Sequence, residues 1–114
     1  MASEKIPGPL ERRHLIEREL SDEKAIGLAD AYLAEGRGAE AVIFLEKAGA
    51  RDRLEALADR AVSEGDAFLF RAVGQALGEE PPSEQWLALA EAAEAAGKLR
   101  HAESARRWAT RGED

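Results

Sequence analysis

The groups able to do chemistry in this 114-residue chain are two histidines and an abundance of carboxylates, with no cysteine at all. Without a thiol, disulfides, thiolate metal sites and cysteine nucleophiles are excluded. Neither His14 nor His101 belongs to an HExxH motif, and His101 precedes Glu103 by a spacing that puts the two side chains on different faces of a helix. Each histidine therefore reads as a surface or boundary residue. Ser3, Ser21, Ser63, Ser83 and Ser104 lack the GxSxG setting of a nucleophile elbow. The glycines stand singly at helix ends and form no phosphate-cradling loop. Glu91 and Glu94 are an i, i+3 carboxylate pair, but a dimetal site in a helical bundle also requires Glu-x-x-His motifs from two helices, which this chain does not supply. The expectation is a protein that is not an enzyme, with no cofactor and no metal.

Charge narrows the partners. The net charge is −7, and it is unevenly placed: residues 1–20 balance, residues 21–97 carry −9 and residues 98–114 carry +2. An acidic body opposes general nucleic-acid binding, which depends on neutralising phosphates. The strongest apolar run, Ala41–Leu45, is far too short to cross a bilayer, and residues 1–20 lack the apolar core of a signal peptide. No nucleic acid, no membrane and a cytoplasmic location are expected. Richness in alanine, glutamate and arginine, with no asparagine, matches the usage of a high-GC bacterial gene.

The elements that must position any site are helical. Residues 1–8 read as a flexible tail. Pro9 suits the first turn of a helix over 9–20, anchored by Leu10, Leu15, Ile16 and Leu20. Ser21 reads as an N-cap with Asp22 and Glu23 in the first turn, and that helix runs to Gly36. A return helix covers about 38–48. The next begins near Arg51 and ends at Gly65, with Asp66 capping its partner, which stops at Gly78. Pro81 and Pro82 break the chain. Ser83 reads as the cap of a helix ending before Gly97, and a last helix runs from about Lys98 to Arg111. The expectation is an all-α chain of about seven helices, with one repeat domain over 9–112 built from the first helix and hairpins at about 21–49, 50–80 and 83–111. Gly36, Gly65 and Gly97 each sit between an alanine-rich or apolar run and a second one, the self-similarity of a helical-hairpin array or short α-solenoid. Alanine dominates the apolar residues and aromatics are only 5%, so the helices should pack closely around a core of modest bulk.

On these residues the chain resembles the tetratricopeptide repeat (TPR) family. Leu28-Ala29-x-x-Tyr32, Gly36, Ala41-x-x-x-Leu45 and Ala48 follow its pattern, with Ala25 where a large residue is usual and Arg53 where proline is usual. Trp86-x-x-Leu89-Ala90, Gly97, Ala102 and Ala109 begin a further unit, with Ala93 in place of tyrosine and Arg106 in place of a large apolar residue. The middle unit has Leu54-x-x-Leu57-Ala58 and closes at Pro82, while Phe70 and Gly74 depart from the small and large residues expected there. The glycine spacings, 29 and 32 residues, are shorter than the family's ~34, so the repeats are divergent. A HEAT-like array or an irregular helical bundle is the competing fold.

The resemblance implies that the first helix of each hairpin lines a concave, partner-binding face. Glu23, Ile26, Asp30 and Leu33 would lie on it from the first hairpin, Asp52, Glu55, Asp59 and Val62 from the second, and Glu84, Leu87, Glu91 and Glu94 from the third. That face is acidic and carries no base, so the partner implied is another protein presenting a basic segment; the alternative for the acids is that they only solubilise an alanine-rich array. Clamps for C-terminal carboxylates need basic or amide side chains there, and this subtype is disfavoured. Trp108, beside Arg106, Arg107 and Arg111, either folds back on the helix of Trp86 or stands out as an interface anchor. The function expected is a non-catalytic adaptor or scaffold. The alternative is a structural subunit that forms a homo-oligomer, or joins a larger complex, through its terminal helices.

Overall fold

In the computed structural model, residues 8–10 and 21–112 are described. The expected helix over 9–20 lies outside them except for Pro9 and Leu10, which are helical. The described residues form six helices and no strand: α1 (Asp22–Ala34), α2 (Gly38–Lys47), α3 (Arg51–Glu64), α4 (Ala67–Leu77), α5 (Ser83–Ala95) and α6 (Leu99–Gly112). The chain divides into two compact units, residues 1–54 and 55–114, with α3 crossing the boundary.

In the first unit, the Ser21 hydroxyl accepts a hydrogen bond from the Lys24 amide at 3.2 Å, and Asp22 and Glu23 follow in the first turn of α1. Both features favour the positive end of the helix dipole. The short connection to α2 and the packing of the two helices make an antiparallel pair. Ala25, Leu28, Ala29 and Tyr32 of α1 are buried, as are Ala41, Val42, Phe44 and Leu45 of α2. The rings of Tyr32 and Phe44 stack with centroids 5.5 Å apart. Arg37 lays its guanidinium 5.0 Å from the Tyr32 ring centroid and pairs with Glu40 at 3.1 Å. Leu54, at the unit's end, is buried.

In the second unit, α5 and α6 pack as another antiparallel pair, and α4 packs on both. From α6 the buried apolar side chains are Ala102, Ala105 and Ala109, whose small size lets the helix axes approach. Bulk comes from Leu69, Phe70 and Val73 of α4 and Trp86 and Leu89 of α5, with Phe70 edge-on to Trp86 at 4.8 Å. Leu57 and Ala61 of α3 are buried as well. Asp66 caps α4 by accepting from the Leu69 amide at 3.0 Å. The helix expected to start with a serine cap starts differently. Pro82 holds the N-cap position with extended backbone, and the Ser83 hydroxyl instead donates to the Ala109 carbonyl at 2.8 Å, tying α5 to the end of α6.

Gly65 closes α3 with φ +70° and touches α5. A Cβ built there would lie 2.5 Å from Ala93 Cα and 2.6 Å from Ala93 N. The turn after α3 is held further by Lys98, whose Nζ donates to the Glu64 carbonyl at 2.8 Å, and by His101, whose Nδ1 accepts from the Ala67 amide at 3.0 Å.

Candidate functional site

The residues singled out in the sequence fall into both units, Asp30 and Leu33 in the first and the other six in the second. Asp30 is exposed on α1 and forms an ion pair with Arg53; Leu33, nearly a turn further on, is half-buried. Asp59 and Val62 repeat this arrangement on α3, the acid exposed and the aliphatic half-buried. Leu87, Glu91 and Glu94 share one face of α5 by their i, i+4, i+7 spacing, and all three are exposed, Leu87 at 46%. Glu94 is paired with Arg106. Asp59 and Glu91 make no ion pair among the described residues.

Trp108 folds back on α5. It is half-buried and stacks on Trp86, with ring centroids 5.9 Å apart and planes 19° from parallel. The guanidinium groups of Arg71 and Arg111 lie 4.5 and 4.6 Å from its ring centroid. Both distances are in the range of cation–π attraction. Arg111 follows Trp108 at i+3 and could be read as its neighbour from the sequence, whereas Arg71 arrives from α4 and could not.

The second unit also forms a pocket that sequence reasoning missed. It has a volume of about 560 Å³, within the roughly 300–1,000 Å³ usual for ligand pockets. Glu55, Ala58 and Asp59 of α3 form one wall, and Phe70, Gly74 and Leu77 of α4 the floor. Glu79, Glu80, Pro81 and Pro82 of the α4–α5 connector form the other wall, beside Gln85. Backbone geometry positions that connector. Gly78 ends α4 in the left-handed region, and the Glu79 amide donates to the Gly74 carbonyl at 3.1 Å. Gly74 lets the returning chain lie close, since a Cβ there would stand 3.2 Å from the Glu79 carbonyl oxygen. The only signal in the sequence was a pair of acids before two prolines, which reads as a helix break and carries no information about what faces it.

A second, smaller cavity of about 270 Å³ also borders the connector and is lined by Arg71, Gln75, Trp86 and Trp108. Among the described residues no group of three His, Asp or Glu side chains could hold a metal ion, and no helix is long and apolar enough to cross a membrane. No family model, curated protein or solved structure matches the chain.

Proposed function

We propose that the chain is a non-catalytic, tetratricopeptide-like interaction module of the cytoplasm, an adaptor or scaffold that holds a basic segment of a partner protein along the first helices of its three hairpins. The observation that carries this reading is a recurrent surface pattern. Asp30 with Leu33, Asp59 with Val62, and Glu91 with Leu87 each set an exposed carboxylate three or four residues from an aliphatic side chain that is partly or well exposed. Such a pattern offers charge to steer a basic ligand and apolar contact to fix its register. Exposed ion pairs alone are worth only about 0–1 kcal/mol each, so the aliphatics carry the affinity and the acids the selectivity. Asp30 and Glu94 already have arginine partners, which leaves Asp59 and Glu91 as the acids readiest to meet a cation.

The test is to capture the partner from the native host, identify it by mass spectrometry, and titrate it against the chain with Asp30→Asn, Asp59→Asn and Glu91→Gln combined. Weaker binding with a shallower salt dependence is expected. Unchanged affinity and an unchanged salt slope would assign the acids to solubility alone. A second reading, self-assembly or docking into a larger complex through end helices, is favoured by Leu99 at the start of α6, which is 67% exposed. Sedimentation across the micromolar range separates the two, since the adaptor reading expects a monomer throughout.

A further inference from the structure

We propose that the pocket between α3, α4 and the connector seats an arginine side chain from the partner's basic segment, an assignment that rests on the peptide-binding reading above and adds the side-chain class and its place. Acidic side chains line it from two elements. Glu55 and Asp59, one turn apart, face the pocket from α3, while Glu79 and Glu80 face it from the connector. No lysine or arginine lines it, and Asp59 and Glu80 make no ion pair among the described residues. The floor, in contrast, is Phe70, Gly74 and Leu77. An occupant must therefore bring positive charge to acids from two elements while laying an apolar or weakly hydrated body on the floor.

Guanidinium meets both demands. Its five donors project in a fixed planar fork and can serve carboxylates on two sides at once, and its faces are weakly hydrated and stack on aromatic and apolar surfaces. An ammonium is a compact, strongly hydrated point charge with three donors, and loses more on an apolar floor. The alkyl stem of arginine covers the remaining apolar wall at Ala58 and Pro81.

The experiment uses the full chain, labelled with ¹⁵N, titrated with acetyl-alanyl-arginyl-alanine amide and with the same tripeptide carrying citrulline or lysine. Citrulline keeps the shape and removes the charge. Saturable shifts are expected at the amides of residues 55–59, 79, 80 and 83–85, with citrulline at least fivefold weaker and lysine intermediate. Asp59→Asn combined with Glu80→Gln should weaken arginine binding at least threefold with helicity unchanged, since both side chains are exposed. Equal binding of the citrulline peptide, or no shift at the pocket amides, overturns the proposal. Shifts confined to the exposed acids of α1 and α5 would overturn the pocket and leave the basic-segment reading standing. A captured partner that binds the chain with Glu80→Gln alone as tightly as the parent would do the same. Arginine peptide that shifts nothing, with a captured partner insensitive to the combined Asp30, Asp59 and Glu91 change, would remove both.

Discussion

Replacing Gly65 by alanine adds a single methyl group at a place where two separate costs meet. The first is conformational. Gly65 sits at φ +70°, and an L-residue in the left-handed region loses about 1–2 kcal/mol relative to glycine. Gly97, at φ +75° in the turn between α5 and α6, carries the same cost, but a methyl group there would meet nothing within 4 Å. The second cost is steric and belongs to Gly65 alone. Its new Cβ would stand 2.5, 2.6 and 2.9 Å from Ala93 Cα, N and Cβ, where carbon contacts prefer about 3.5–4.0 Å. Two of those three atoms are helix backbone, which cannot turn aside as a long side chain would. Relief requires the α3–α4 turn and α5 to separate by about 1 Å, and forced overpacking of this kind costs about 1–3 kcal/mol. Gly65→Ala should therefore destabilise by about 2–5 kcal/mol and Gly97→Ala by about 1–2 kcal/mol. Urea denaturation followed by tryptophan fluorescence suits the comparison, because Trp86 and Trp108 both lie in the unit concerned. The midpoint should fall much further for Gly65→Ala at similar slope. Adding Ala93→Gly to Gly65→Ala should recover little, since it removes the 2.9 Å contact and keeps the two backbone ones. Equal losses for Gly65→Ala and Gly97→Ala, within about 0.5 kcal/mol, would refute the close approach of the turn to α5.

Other substitutions test separate contacts. Leu28→Ala, at a buried site on α1, should cost about 2–5 kcal/mol by denaturant titration, and a loss under about 0.5 kcal/mol would place Leu28 outside the core. Ser83→Ala should cost about 0.5–1.5 kcal/mol, and hydrogen exchange should quicken near the end of α6, because the hydroxyl bonds the Ala109 carbonyl there and caps no amide of its own helix. His101→Ala removes the acceptor for the Ala67 amide and the ring beside Phe68, with centroids 4.6 Å apart; a loss of about 1–2 kcal/mol is expected, with faster exchange of the Ala67 amide. Glu94→Gln breaks an exposed pair with Arg106 and should change stability by less than about 1 kcal/mol, so a larger loss would mean that the pair is sequestered.

Helix, caps and turns were legible in the sequence because each depends on groups within a few residues of one another. Ser21 reaches the Lys24 amide and Asp66 the Leu69 amide across three positions, and Gly78 ends α4 through the backbone conformation of that one residue. Leu28, Ala29 and Tyr32 share the buried face of α1 through their i, i+1, i+4 spacing. Local logic failed at Ser83, whose residue type suits a cap: a longer-range acceptor, the Ala109 carbonyl, took the hydroxyl, and Pro82 already supplied the extended entry. Gly65 and Gly97 look alike in sequence and share a backbone angle, yet only the packing of the turn on α5 separates them. The same holds for the stacking of Trp108 on Trp86 and for the arrival of Arg71 beside it, which join residues from three helices. The acids at 79 and 80 read as part of a helix break. They become part of a pocket because Gly74 admits the connector against α4 and α3 brings Glu55 and Asp59 to the same pocket. Short-range hydrogen bonding and periodicity determine which helices form and which faces they bury, whereas the distance between two helices depends on side-chain volumes from both, which no single segment encodes.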